Sequence, residues 1–330
     1  MAIVANTFQS TSAVGNREQL SDVVDRIDIE DTPVYSMMAK IKFSGRHPEW
    51  ETDSLAAPED NAQLEGDDFA FDETQPAVKV GNYTQIFRKS GIISGSQDAE
   101  NNAGRVEQLR YQKAKKGVEL RRDVEYSLLA ANASVGGTTR RSGSLSTWVT
   151  SNVSRGATGA NGGFNQGTGL TVAPTDGTQR AFTKALMDNV MQQGAINGAR
   201  FKHIVGSHYI KSEFATIMSD ANVAAFRTAA KVTDGNTMVA TADMYLGPHG
   251  KVMFHENVVQ SIDPALARNV HFVDPEYAKW GWFRKIHEVK NVPKTGDANR
   301  FVLLGEGASC ITNEKGLGII ADLFGTSASS

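Results

Sequence analysis

The sequence holds one cysteine, Cys310, in 330 residues. No intrachain disulfide can form, and no cysteine-based metal site can be built. With no activating partner near it in "GASCITN", Cys310 reads as a small buried apolar residue. No stretch approaches ~18 consecutive apolar residues, so no membrane span is expected. The N-terminal "MAIVANTFQSTSAVG" lacks a basic start and a long apolar run, so no signal peptide is expected and the chain reads as made and assembled in a cytoplasm. The Asn-x-Ser/Thr triplets at Asn82, Asn132 and Asn152 are then chance matches. Positive charge is missing from one long span: no lysine or arginine lies between Arg46 and Lys79, where ten acidic residues do.

Catalytic patterns are also missing. Seven histidines occur, none in a zinc-binding spacing; His249 and His255 flank a turn and read as ordinary solvated groups. There is no Gly-x-Ser-x-Gly elbow and no phosphate loop. "GATGANGG" follows no buried strand and opens no helix, so it is not a dinucleotide fingerprint. The acidic span lacks the spacing of a calcium loop. A net charge of −3 argues against a surface built to neutralise nucleic-acid phosphates. No cofactor or metal is expected.

What is present is an ordinary globular composition, 40% apolar and 22% charged, enough for a sizeable core. Its elements read as α+β. Leu20, Val23, Val24 and Ile27 recur at helical spacing, and a second short helix is expected from Pro33 to about Lys40. "EWETDSL" and "AVKVGNYTQIFRKSGIIS" read as two long antiparallel strands joined by the acidic tip, which has too little apolar content to bury itself. A long helix follows, from Arg105 to Asn132, or from Gln97 if Ser94 and Gln97 form its capping box. Gly117, Leu120, Val124 and Leu128 make its apolar stripe. Between Arg105 and Glu125 it carries seven basic and four acidic residues.

Residues 133–170 are rich in glycine, serine and threonine and read as loop, with one strand at Leu145–Val149. "TQRAFTKALMDNVMQQGAI" reads as a helix with Phe182, Leu186, Val190 and Met191 inward. "ARFKHIVGS" reads as a buried strand entering a helix, and "TMVATADMYLGPHGKVMFHENVV" as two strands about a Gly-Pro turn. Further strands are expected at 270–290 and 299–312.

The charge segregation itself suggests an interface. An acidic hairpin laid over the basic helix of the next copy explains both, as a heterologous contact that closes rings. Each exposed ion pair contributes only about 0–1 kcal/mol, but the contact repeats. Residues expected there are Trp50, Asp67, Asp68, Tyr83, Phe87 and Arg88 on the hairpin, and Arg110, Lys113, Lys116 and Arg121 on the helix.

"DTPVYSMMAK", "EWETDSLAAP", "VGNYTQIFRKSGIISGSQDA", "YQKAKKGVELRRDVEYSLL" and "LLGEGASCITNEKGLGIIADL", in this order, resemble segments of tailed-phage major capsid proteins with the Hong Kong 97-like fold. The resemblance implies an N-terminal arm at 1–45 and an extended loop at 46–95. It implies a spine helix with part of a peripheral domain at 96–169, an axial domain at 170–269, and returning peripheral strands with a tail at 270–330. It implies a non-enzymatic virion protein that forms pentamers and hexamers of an icosahedral head around double-stranded DNA. Itself, a separate scaffolding protein, a portal and a decoration protein are the implied partners. Unlike members cross-linked by a lysine–asparagine isopeptide bond, this loop has no lysine between Arg46 and Lys79, so no such bond is expected. Two alternatives stay open: a bacterial nanocompartment shell of the same fold, and a hydrolase using Asp67 and Asp68.

Overall fold

The computed structural model describes residues 31–66, 71, 73–100, 108–219, 243–293 and 296–327. The helix expected after Asn16, and Asp67, Asp68 and Arg105, lie outside these residues.

Helix α1 (Pro33–Met37) opens on a proline, whose fixed φ suits the first helical position. It leads into strand β1 (Ala39–Lys42), then β2 (Glu49–Thr52), β3 (Val78–Gly81) and β4 (Gln85–Ser94). β2 and β3 pair antiparallel over four residues each, from Glu49↔Gly81 to Thr52↔Val78. The expected long hairpin is therefore short. β4 turns away from it and pairs residue for residue with β13 (Ala298–Ile311), from Gln85↔Gly307 to Ser94↔Ala298. The reason is apolar content: Phe87 and Ile93 of β4 find a core to enter, and the acidic segment offers none.

Ser94 does cap a helix, accepting from the Gln97 amide at 3.3 Å, but the helix is the short α2 (Gly95–Ala99). The long helix α3 is described over Gln108–Leu129, 22 residues or about 33 Å, and the extended backbone of Glu100 separates it from α2. This corrects the longer span from Gln97. Its Leu120, Val124 and Leu128 are buried as the stripe predicts.

Leu145–Val149 is not a strand. Leu145–Thr147 forms a 3₁₀ turn, and all five residues are buried. The Thr147 hydroxyl donates to the Ser144 carbonyl at 2.8 Å, so a polar sequence satisfies its own backbone inside the core. Short strands β5 (Val153–Ser154), β6 (Gly163–Asn165) and β7 (Leu170–Val172) follow.

The remaining elements are α4 (Lys184–Ile196), β8 (His203–Gly206), α5 (His208–Ser219), β9 (Met244–Gly247), β10 (Gly250–Glu256), α6 (Val258–Ile262), α7 (Pro264–Ala267), β11 (Val270–Val273), β12 (Ala278–Glu288) and β14 (Leu317–Ile320). On α4, Val190 and Met191 are buried as expected, Met187 is fully buried, and Leu186 is only half-covered. Two larger sheets result. One has the order β1-β12-β13-β4; the other has β5-β14-β11-β8-β10-β9. The chain after residue 270 is shared between them, since β12 and β13 join the first and β11 and β14 the second.

Two main cores form, and the first is shared, since Val205, Val273, Leu317 and Ile319 of the second sheet join it. α3 packs on the first, with Leu120, Val124 and Leu128 around Trp280. α4 and α5 cover the second, with Met187, Val190 and Phe214 around Ile204 and Phe272. Fully burying one such side chain contributes about 1.5–3 kcal/mol. Cys310 is buried beside Phe43 and Ala308, and burial pushes its thiol up to about 11, so it rests as an apolar residue. No described helix is long and apolar enough to cross a membrane.

Candidate subunit interface

The acidic segment stands clear of its own subunit. Residues 53–66 and 73–79 are exposed throughout, and Leu55, Leu64 and Phe71 are 99%, 77% and 95% accessible. Glu49 and Lys79 close the base of the ladder at 2.7 Å.

Its root, by contrast, is fixed. Asn82, fully buried at the end of β3, donates to the Ser309 carbonyl at 2.9 Å and to the Ser309 and Ser142 hydroxyls. Its oxygen accepts from the Tyr83 and Gly143 amides at 2.9 and 3.0 Å. One side chain thus ties the loop root to β13 and to the glycine- and serine-rich segment. Beside it Thr84, Arg140 and Arg284 converge on Glu306, with Arg140 Nη2 at 2.5 Å and Arg284 Nη2 at 2.7 Å from its oxygens. Burial opposes the charge, but bonds from Thr84, Arg284 and Arg140 outweigh it and hold the carboxyl below its ordinary value.

The hairpin residues named from sequence fall into two groups. Trp50 is half-buried against Trp148, and Phe87 lies in the core against Trp280. Tyr83 stacks on His47 with ring centroids 4.1 Å apart. These three pack within the subunit. Arg88 is exposed on β4. On α3, Lys113 pairs with Glu288 at 2.8 Å and Lys116 with Glu119 at 2.8 Å. Arg110 and Arg121 are exposed and have no ion-pair partner among the described residues.

A basic surface also appears where the sequence pattern did not put it. The strands of the first sheet carry eight lysines and arginines (two on β1, two on β4, three on β12, one on β13) against two glutamates, Glu288 and Glu306. Both glutamates are already paired. On the sheet face away from α3, Ile86 and Ile92 are exposed beside Arg88. The register that joins β4 to β13 is a long-range pairing, so charge counted along the chain could not show this face.

Glu125 and Glu306 were also missed. Glu125 lies three and four residues before Leu128 and Leu129, and that spacing was the available signal for its inward position. The histidines that meet are His203 and His255, with Nδ1 and Nε2 2.9 Å apart, rather than His249 and His255. Among the described residues no three acidic, histidine or cysteine side chains group as metal ligands.

A four-stranded sheet backed by a long helix, a second helix-covered sheet and a projecting loop together make the fold of a phage capsid shell subunit. The cyanophage A-1(L) capsid asymmetric unit superposes with a TM-score of 0.63 at 13% identity, over 93% of this chain and 97% of that one. The capsid of a native GTA particle gives 0.64 at 10% identity, over 97% and 100%. A Gordonia phage Cozz structure gives 0.59 at 10% identity, over 98% of each chain. The chain belongs to the SU10 major capsid protein family, whose model matches residues 4–324. The major capsid protein of Escherichia phage Phieco32 is 35% identical over 127 residues, which are 38% of this chain and 36% of that protein. The aligned region spans about a third of that relative's length.

Proposed function

We propose that copies of this chain assemble into pentamers and hexamers that close an icosahedral head around the double-stranded DNA of a tailed phage. The observation that carries the reading is the free acidic loop, with Leu55, Leu64 and Phe71 uncovered on a firmly rooted base. Such a loop gains packing only from a second molecule. Its complement within the same chain is basic: Arg110 and Arg121 on α3, and Arg88 on the open face of the first sheet. An acidic loop on one side and a basic surface on the other give a heterologous contact, which closes into rings.

In this reading the segment up to residue 45 is the arm, 46–95 the extended loop and α3 the spine. The four-stranded sheet belongs to the peripheral domain, and the second sheet with α4 and α5 to the axial domain around the ring axes. A separate scaffolding protein, a portal and a decoration protein are the partners that fit a head of this kind.

Negative-stain electron microscopy and sedimentation of the protein expressed alone test the reading. Closed shells or capsomer rings are the expected result. A monomer that stays dispersed, even when co-expressed with the scaffolding protein encoded beside it, would overturn it.

A further inference from the structure

Three parts of the fold meet at one side chain. Glu125, on the buried face of α3, accepts from the Val34 amide at 3.0 Å and the Tyr35 amide at 2.7 Å. These are the first amides of α1, whose own N-cap residue Thr32 makes no capping bond with its side chain. A carboxylate from another helix therefore caps α1, where the orphan amides and the positive end of the helix dipole favour it. The same Oε1 accepts from Asn257 Nδ2 at 2.6 Å. Asn257 is itself the N-cap of α6, accepting from the Gln260 amide. At the other end of α1, the Lys40 ammonium bonds the Tyr35 and Met38 carbonyls, the latter at 2.8 Å. The short helix is thus held at both ends by side chains from outside it.

We propose that Glu125 is a latch that fixes α1 against α3 and couples it to α6 beside the second sheet. Three donors converge on two oxygens, so no other side chain of similar length replaces it. Glutamine offers one acceptor oxygen and turns an amide donor towards the remaining donors. α1 is only five residues long and cannot hold itself as a helix without these end contacts. Removing the latch loosens the amide end of α1 while its packing remains, because Val34 is buried in the first core and Tyr35 stands edge-on to Trp280 and Trp282.

The latch also has a direction with pH. Burial raises the Glu125 carboxyl above its ordinary value, against the bonds from Tyr35, Val34 and Asn257 and the charge of Lys40. α1 and α6 carry no charged side chain; among the described residues Lys40 is the cation that acts on it, and burial lowers that ammonium to about 8. The closed form therefore holds a proton more tightly than an open form in which Glu125 meets water. Closing is favoured below the ordinary carboxyl value and weakens as pH rises through the raised one.

Hydrogen exchange on the full chain, read at the Val34 and Tyr35 amides, tests this. Glu125→Gln and Asn257→Ala are expected to speed exchange there by about 10-fold, the factor for leaving one buried donor unpaired. Amides of β8 and β11 are expected to be unchanged. After correction for intrinsic exchange, the wild-type rate should rise with pH through the Glu125 titration, and Glu125→Gln should be flat. Unchanged α1 exchange in both variants would overturn the latch. So would equal acceleration across β8 and β11, which would mean plain destabilisation. Both readouts are made on unassembled subunits, so a failure of shell assembly leaves this test standing.

Discussion

The indole nitrogen of Trp50 donates to the carbonyl of Ile311 at 2.9 Å, across 261 residues of sequence. The bond ties β2, where the acidic loop departs, to the last residue of β13. Trp50→Phe keeps much of the ring packing against Trp148 and loses the bond. It should cost about 1 kcal/mol in denaturant unfolding. An unchanged midpoint would mean that the bond is replaced by water without penalty.

Glu306 predicts an acid-sensitive loop root. Its folded value is lowered, so the stability it contributes is present above the ordinary carboxyl value and lost as pH falls through the lowered one. Glu306→Gln leaves Arg140 and Arg284 facing each other over a buried amide. It should cost about 1–3 kcal/mol at neutral pH, as losing bonds to a charged group does, because the Arg284 side chain still reaches water. A thermal melt at two pH values checks both the size and the expected convergence with wild type at low pH.

His271 should dominate stability at mildly acid pH. It is buried on β11, and among the described residues its Nε2 has no hydrogen-bond partner. Burial, with Arg155 nearby, lowers it from 6.5 to about 4. A lowered value means stability is complete above 6.5 and falls as pH drops towards 4, by up to about 3 kcal/mol. In His271→Phe this slope should shrink to the part left by His203 and His255, which burial also lowers. A wild-type curve flat from pH 7 to pH 4 would contradict the assignment.

Charge reversal on the surface should separate folding from assembly. Arg110→Glu with Arg121→Glu touches no partner among the described residues. Subunit stability should move by no more than about 0.5 kcal/mol per site. Shell yield by sedimentation should fall severalfold, and more so at low salt, where unlike charges attract most strongly and the reversed ones repel. Loss of folding, or full shell yield, would remove α3 from the interface.

A mature shell should dissociate into single chains on a denaturing gel. Between Arg46 and Lys79 no lysine is available to form an isopeptide bond, and Lys79 itself is paired with Glu49. A covalent ladder would show that another lysine serves.

Much of this architecture was legible along the chain. The α3 stripe, the β8–α5 unit and the β9–β10 hairpin about Pro248 follow from local periodicity and turn chemistry, and all three form. What local pattern could not carry is pairing at a distance. β4 alternates as a strand, but nothing in it names β13 rather than the acidic segment as its partner. Ser142, Ser144 and Thr147 look like loop residues because their composition is polar, yet they are buried and bonded to one another and to Asn82 and Ser309. The acidic half of the proposed interface was legible as charge of one sign. Its basic half was only partly so, because Lys113 and Lys116 are paired within the subunit and Arg88 lies on the sheet face away from α3.

The four-residue ladder of β2 and β3 has a kinetic consequence. A loop with no packing of its own must surrender conformational entropy each time it docks, so every docking event is cheap to reverse. Its buried root limits the volume it searches, which keeps rebinding fast. A growing shell joined by such contacts can discard a misplaced subunit before its neighbours trap it, and closure then becomes a matter of annealing rather than of luck at each addition.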